Sequence, residues 1–151
     1  MLCNYHNMNF IERKMKIVES ILKDELKERI LAGFADHATQ ETGSEGVIQE
    51  QIAFEARNEE EFMGALVVQI FWGQLHIKNL IVAKEYRGRG IGKILMQQAV
   101  EFGKKQNCKF AYVETMNFQA PEFYQKLGFK IDFVRHGYDK DTSFYYLSRD
   151  L

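Results

Sequence analysis

Three glycines and three cations fall within residues 86–93, which read YRGRGIGK. An apolar run, LIVAKE, precedes this stretch, and a segment with helical periodicity follows it. A glycine-rich turn between a strand and a helix leaves backbone N–H groups unpaired at the positive end of the helix dipole, where anions such as phosphate bind. Glycine lets phosphate oxygens approach the backbone, and Arg87, Arg89 and Lys93 add charge. The stretch therefore predicts a phosphate site.

Two common phosphate-binding motifs do not fit this stretch. Arg87 stands where the P-loop pattern needs its first glycine, and Ile94 stands where it needs serine or threonine. Lys93 occupies the place of the third glycine in the dinucleotide fingerprint G-x-G-x-x-G. Neither a P-loop nor a dinucleotide site is predicted.

The remaining pattern, Arg-x-x-Gly-x-Gly from Arg87 to Gly92, resembles the coenzyme-binding motif of the GNAT family of N-acetyltransferases. The upstream segment NLIVAKEYRGRG and the downstream segment NFQAPEFYQKLGFK (117–130) look like flanking signatures of that family. The resemblance covers residues 62–151 well and the N-terminal third loosely. It implies an α+β GNAT acyl-CoA N-acyltransferase fold: a mostly antiparallel central sheet, with a parallel pair in its middle, flanked by helices.

The same resemblance implies that an acetyl group passes from acetyl-CoA to a primary amine by direct attack on the thioester, with no metal. A backbone N–H at Ile81 or Val82 would stabilise the oxyanion, and the Asn117 side chain would bond the pantetheine arm. The residues implied in coenzyme binding are Leu80, Ile81, Val82, Arg87, Gly88, Arg89, Gly90, Ile91, Gly92, Lys93 and Asn117. Lys104, Lys105 and Lys109 follow, either as a solvated helix end or against the coenzyme 3′-phosphate.

Tyr124 occupies the position of the general acid in the family resemblance. A phenol with a pKa near 10 donates to a thiolate whose conjugate acid is near 8.5 at a cost of only about 2 kcal/mol. The alternative is a core tyrosine whose hydroxyl is satisfied within the protein.

The base that accepts the amine proton is open between two residues and a water chain. His76 aligns with the glutamate that serves as base in histone-modifying relatives, and its ordinary pKa near 6.5 suits the task. Glu114, on the next predicted strand, could act through a water.

The periodicity along the chain predicts alternating strands and helices. Leu22, Leu26, Ile30 and Phe34 recur every four residues and mark an amphipathic helix over 21–38. A second helix begins at Ile91, with Ile91, Ile94, Leu95, Ala99 and Phe102 on one face. A short third helix runs between Pro121 and Gly128. Strands are predicted at 16–19, 51–57, 62–72, 75–84, 110–115, 129–133 and 143–149.

The length predicts one domain, which the resemblance implies is a single GNAT acetyltransferase domain over 15–151, and a flexible extension is expected at 1–14. The 151 residues carry a formal net charge of −1, which argues against a nucleic-acid partner and against an acceptor on aminoacyl-tRNA. No apolar run approaches the ~20 residues of a membrane span, and no signal peptide is evident. With only Cys3 and Cys108 as thiols, the chain is expected to be cytoplasmic and reduced.

The acceptor is the least readable part of the sequence. Acidic residues on the first helix, the loop after it and the last hairpin suit a cationic acceptor such as a polyamine, an aminoglycoside or a lysine side chain, most simply a small molecule, although any soluble protein carries surface carboxylates: Asp36, Glu41, Glu45, Asp139 and Asp141. Dimers are frequent in the family, so a homodimer is one expectation. A non-catalytic acyl-CoA-binding regulatory module is the alternative, and it would tolerate loss of Tyr124.

Overall fold

A computed structural model describes residues 15–44, 50–59 and 61–151. Helices α1, α2 and α3 span Asp24–Thr42, Ile91–Lys105 and Pro121–Lys126. Strands β1 to β6 span Ile52–Asn58, Glu61–Phe71, Gln74–Val82, Phe110–Met116, Lys130–Tyr138 and Thr142–Asp150. The predicted extension at 1–14 and the acidic Glu45 lie outside the described residues.

The six strands form one sheet in the order β1-β2-β3-β4-β6-β5. All neighbours are antiparallel except β3 and β4, which form the parallel pair in the middle that the sequence predicts. This parallel ladder is short, since it joins only Leu75, His76 and Ile77 to Ala111, Tyr112 and Val113. Beyond it β3 and β4 separate, and an opening forms inside the sheet.

A β-bulge coincides with the end of the parallel ladder. Val68 of β2 pairs with Ile77, but the preceding Val67 pairs with Asn79, so Lys78 is an extra residue in β3. A bulge bends its strand and increases the local twist. The bulge therefore turns β3 away from β4 at the residue where their pairing stops.

Helix α2 packs across one face of the sheet and forms the core with it. Its buried face comprises Ile91, Gly92, Leu95, Met96, Ala99, Val100 and Gly103. These residues meet inward-facing strand residues that include Leu66, Val68, Ile77, Val113 and Leu147. The predicted apolar face is confirmed except at Ile94, whose side chain is 57% exposed because it lies on the far side of the helix.

The short helix α3 begins and ends as predicted. Pro121 takes the first helical position, where its missing N–H costs no hydrogen bond. Gly128, with φ of 87°, follows the last turn, and its N–H donates to the Gln125 carbonyl at 2.9 Å. This helix carries Phe123 and Tyr124 against the core.

The N-terminal part of the described chain differs from the prediction. The strand expected at 16–19 is absent and that prediction is wrong, since residues 15–23 have no regular secondary structure. Ile17 and Val18 are exposed, so this short run buries no apolar surface that would hold it at a sheet edge. Helix α1 is confirmed, but its apolar stripe is exposed too, with Leu26 at 43% and Phe34 at 66%.

Candidate active site

A cavity of about 930 Å³ opens where β3 and β4 separate. We call it the cleft. On the α2 side it is bounded by the glycine-rich turn and α3, and between the strands it reaches Glu114 and Lys78. Its lining includes eleven residues that the sequence assigns to the site: Leu80, Ile81, Val82, Arg87, Gly88, Gly90, Ile91, Gly92, Lys93, Glu114 and Tyr124. The cleft thus joins the predicted coenzyme turn to two of the predicted catalytic residues.

The glycine-rich turn presents an uncapped helix N-terminus to the cleft. Gly90 has φ of 82°, a left-handed conformation that favours glycine, and α2 begins at the next residue. No side chain caps this end and no acidic residue lies in its first turn. The first backbone N–H groups of a helix lack partners within it, so this end has the geometry that favours an anion.

Cations around the turn are held in place by neighbouring groups. Arg87 donates from Nε to the Val82 carbonyl oxygen at 3.1 Å. The Arg89 guanidinium carbon lies 5.3 Å from the centre of the Tyr86 ring, a cation–π contact. The Tyr86 hydroxyl in turn donates to the Glu61 carboxylate, which ties the turn to β2. The sequence did not reveal this role of Tyr86 and Glu61, because they meet only after β2 and β3 pair.

The backbone of β3 offers hydrogen-bonding groups to the cleft. The Ala83 N–H donates to Met63 of β2 at 2.9 Å. Residues of a strand alternate in the edge to which their N–H and C=O groups point. The Ile81 N–H therefore points to β2, whereas the N–H groups of Leu80 and Val82 point to the edge that β4 has left.

Tyr124 combines a buried ring with an open hydroxyl. The side chain is only 7% exposed, and its ring packs edge-on against Phe123 and Phe129 at 5.2 and 6.0 Å. Burial raises the pKa of the phenol. Within residues 15–44, 50–59 and 61–151 its oxygen has no hydrogen-bond partner, yet no buried side-chain oxygen there is left unsatisfied. The hydroxyl therefore opens to the cleft, which it lines.

The two candidate bases form a pair. His76 Nε2 lies 3.3 Å from Glu114 Oε2, and the imidazole stacks on Tyr112 with ring centres 4.3 Å apart. Burial is the largest cause that lowers the pKa of His76, and Lys78 lowers it further, although Glu114 acts in the opposite direction. A neutral imidazole beside a carboxylate donates from Nε2–H. Glu114 lines the cleft, and His76 lies behind it.

Comparisons with known proteins show which family the chain belongs to. The model of the acetyltransferase (GNAT) family matches residues 17–129, which is more than half of the chain. The chain belongs to the GNAT family. A relative, the N-alpha-acetyltransferase of Sulfurisphaera tokodaii, is 31% identical over 114 residues, covering 65% of this chain and 68% of that protein.

Other relatives of this GNAT protein match over a shorter span. Blasticidin-S acetyltransferase of Streptomyces morookaense is 38% identical over 72 residues, which cover 47% of this chain and 53% of that protein. Acetyltransferase Atu2258 of Agrobacterium fabrum is 38% identical over 66 residues, or 44% and 48% of the two chains. The GNAT chain thus spans about half the length of these curated relatives.

Solved structures show the same fold. An acetyltransferase from Bacillus cereus superposes with a TM-score of 0.79 at 24% identity, covering 90% of this chain and 98% of that one. A structure described as a streptothricin acetyltransferase of Bacillus anthracis in complex with acetyl coenzyme A has a TM-score of 0.62 at 28% identity. That match covers 68% of this chain and 64% of the other. The mixed sheet with its central parallel pair is therefore the GNAT fold.

Asn117 and Arg89 are the two predicted coenzyme-binding residues that do not line the cleft. Asn117 is exposed, and its Oδ1 accepts a hydrogen bond from the Ser143 N–H at 3.1 Å, which ties the end of β4 to β6. Its amide group keeps its donors. The pantetheine contact expected for Asn117 stays a prediction.

Two structural absences complete the description of the GNAT domain. Among the described residues, no three His, Cys, Asp or Glu side chains come close enough to hold a metal ion. None of the described helices is both long and apolar enough to cross a membrane.

Proposed function

We propose that this GNAT protein is an N-acetyltransferase that moves the acetyl group of acetyl-CoA to a primary amine. The observation that carries the proposal is the cleft. It connects an anion-binding helix N-terminus to an open phenol and a carboxylate through a gap in the sheet. Family membership and the relative solved with acetyl coenzyme A support the same reading.

In this proposal the coenzyme pyrophosphate binds the N–H groups at the start of α2. Lys93 contributes charge, and the left-handed Gly90 lets the phosphate oxygens approach the backbone. The pantetheine arm then runs along β3 and bonds outward backbone groups of Leu80 and Val82, and one of their two N–H groups stays open for the thioester oxygen. An extended amide-bearing chain can pair with such an edge as a further strand would.

The acetyl transfer forms a C–N bond and breaks a C–S bond. Attack of the neutral amine on the thioester carbonyl places negative charge on its oxygen, which the cleft-facing N–H of Val82 or Leu80 stabilises. Collapse of this intermediate expels the thiolate, and Tyr124 donates its proton to the sulfur. The raised pKa of Tyr124 keeps the phenol protonated throughout the neutral range, so the proton is available when the thiolate forms.

The amine must lose a proton before or during attack, because an ammonium ion has no free electron pair. The Glu114 carboxylate at the cleft binds the ammonium, and the Glu114–His76 pair receives the proton. The lowered pKa of His76 leaves the imidazole neutral at pH 7, so its Nε2–H holds Glu114 in place while the carboxylate takes the proton. The two residues therefore act together as the base.

A small-molecule amine is the acceptor that the relatives favour. Two of them are named for acetylation of the small molecules blasticidin-S and streptothricin. Assembly as a homodimer and a cytoplasmic location stay predictions.

Three substitutions test the coenzyme site: Gly90→Glu, Gly90→Gln and Gly73→Glu. Each replaces a glycine that has a positive φ. Gly90→Glu should weaken acetyl-CoA binding more than 10-fold, because it places bulk and negative charge at the anion site. Gly90→Gln introduces nearly the same bulk without charge and should weaken binding less. Gly73 has φ of 73° and open space around it, as Gly90 has, but lies in the β2–β3 hairpin away from the cleft. Each substitution costs about 1–2 kcal/mol of left-handed strain.

Calorimetry with acetyl-CoA and thermal unfolding should be measured on all three variants. Gly73→Glu should lose stability but keep its affinity for acetyl-CoA. Wild-type affinity in Gly90→Glu would refute the assignment of the pyrophosphate to this turn.

A further inference from the structure

Lys78 and Glu114 lie at the point where the sheet opens. The parallel ladder between β3 and β4 ends at the pair of Ile77 and Val113, so Lys78 and Glu114 are the next residues on the two strands. Both line the cleft. A cationic and an anionic side chain therefore border the gap from opposite strands.

The fold gives Lys78 this position through the bulge in β3. Lys78 is the extra residue between Ile77 and Asn79, which pair with consecutive residues of β2. Bulges are common next to active sites, where they change the direction of a side chain. The bulge thus presents a lysine to the cleft at the residue where β3 leaves β4.

The Lys78 ammonium is exposed and has no counter-charge within the part of the chain that the structure describes. It forms no salt bridge there, although Glu114 borders the same gap and contacts His76 instead. Its charge does reach that pair, because Lys78 lowers the pKa of His76. A free cation therefore lies beside the proposed base.

The coenzyme of the proposed function supplies no anion to Lys78. Its pyrophosphate is assigned to the glycine-rich turn, where Arg87 bonds the Val82 carbonyl oxygen. Lys78 and Val82 are four positions apart on β3, which is about 13 Å of extended strand. This separation exceeds the Debye length of about 8 Å at physiological salt, and the pantetheine arm between the two is uncharged.

The charges that line the cleft are mostly positive. Among the described residues they are three cations and one carboxylate: Lys78, Arg87, Lys93 and Glu114. Four acidic residues that the sequence suggested for a cationic acceptor do not line the cleft: Asp36, Glu41, Asp139 and Asp141. With Arg87 and Lys93 assigned to the pyrophosphate, Lys78 is the cation left for the acceptor.

We propose that Lys78 binds an anionic group of the acceptor and so selects amines that carry a carboxylate or a phosphate close to the reacting nitrogen. The ammonium of such a zwitterion binds Glu114, and its anionic group binds Lys78 across the gap. Complementary charges on the two strands then orient the amine toward the thioester. The inference rests on the proposed acetyl transfer for the role of Glu114, but binding of the zwitterion does not depend on turnover.

The test compares amines with and without the negative charge. The probes are L-leucine with L-leucinamide, L-phenylalanine with L-phenylalaninamide, and 2-aminoethyl phosphate with ethanolamine. In calorimetry on the coenzyme A-saturated protein, at least one charged member should bind about 3- to 10-fold more tightly than its neutral counterpart, since an exposed charge-assisted contact contributes modestly. Which pairs show the preference tells whether the bound group is a carboxylate or a phosphate.

Two substitutions assign the preference to Lys78. Lys78→Gln should abolish it and Lys78→Glu should reverse it, while the neutral members bind as before. The ratio within each pair is compared between variants, so the different basicities of an amino acid and its amide cancel. Lys130→Gln removes an exposed cation of β5 outside the cleft, and as the matched control it should keep the ratio.

Acetylation assays on the same pairs separate this inference from the proposed transfer. A preference for the charged member that disappears in Lys78→Gln, without any acetylated product, would keep the role of Lys78 and contradict the transfer. Equal binding within every pair, no binding of any charged member, or a preference unchanged in Lys78→Gln would overturn the inference whether or not acetylation occurs.

Discussion

At the scale of single residues, Tyr124 combines a ring that packs in the core with the hydroxyl that we propose as the proton donor. Its ring belongs to the core cluster, where it contacts Phe123 and Phe129. Its hydroxyl opens to the cleft. Removal of the hydroxyl alone should therefore leave the fold intact and remove the proton donor.

We predict that Tyr124→Phe lowers kcat about 100-fold and changes the affinity for acetyl-CoA less than about 3-fold. Loss of a positioned general acid typically costs 10²–10⁴ in rate, whereas the phenyl ring keeps its contacts. Steady-state kinetics and calorimetry on the same preparation measure the two quantities. Full turnover in the variant would exclude Tyr124 as the acid.

Burial of His76 makes stability depend on pH. The pKa of His76 is lowered in the folded protein, so the unfolded chain, with a pKa near 6.5, binds the proton first as the pH falls. The stabilising contribution is fully present above pH 6.5 and is lost as the pH falls from 6.5 through the lowered folded pKa.

We predict that His76→Gln flattens this acid dependence, because the amide cannot titrate and can still donate to Glu114. Urea unfolding between pH 5 and 7.5 measures the effect, with His136→Gln as a control on the exposed part of β5. An unchanged slope in His76→Gln would mean that His76 does not cause the dependence.

The sequence indicated the individual candidate site residues, but it did not show which of them contact one another. The turn from Arg87 to Lys93 could be read from glycine spacing and charge, because both act locally. His76 and Glu114 were alternatives in the sequence, since their pairing depends on the parallel register of β3 and β4.

At the scale of elements, β3 is the strand on which the site depends. Its bulge at Lys78 ends the pairing with β4, and its next residues bound the cleft. Gly64 of β2 lies against this part of β3, where a Cβ would be 2.7 Å from the Ile81 carbonyl oxygen and 3.3 Å from Val82 Cα. Both neighbours are backbone atoms, so neither can move without moving the strand.

We predict that Gly64→Ala lowers the free energy of unfolding by about 1–3 kcal/mol and also weakens acetyl-CoA binding. The added methyl group would displace the β3 backbone that faces the cleft. Gly33→Ala is the matched control, since Gly33 lies in the exposed helix α1 with nothing within 4 Å. It should raise stability by about 0.5–1 kcal/mol, as alanine does in a helix. Denaturant titrations measure the free energy of unfolding of both variants. If Gly64→Ala were as stable as the wild type, β2 and β3 would be packed less closely than the structure indicates.

At the scale of the whole molecule, a single sheet positions three groups around one gap between β3 and β4. These are the proposed coenzyme turn, the proposed acid Tyr124 and the proposed base at Glu114. Patterning predicted the helices and most of the strands, because periodicity reports which face of an element is apolar, whereas the parallel pair followed from the family resemblance. It could not report where that face packs. The four-residue period of α1 is real, yet Phe34 and Leu26 are exposed, because burial depends on a neighbouring element that the sequence of the helix does not contain.

The central claim is that the cleft transfers an acetyl group from acetyl-CoA to an amine. The most direct measurement follows release of free coenzyme A thiol from acetyl-CoA in the presence of a panel of primary amines, with mass spectrometry of the products. We predict thiol release that requires an amine, yields the acetylated amine as product, and falls in Gly90→Glu as the affinity for acetyl-CoA falls. Absence of any acetylated product across the panel, although acetyl-CoA binds, would contradict the claim and favour a non-catalytic acyl-CoA-binding module.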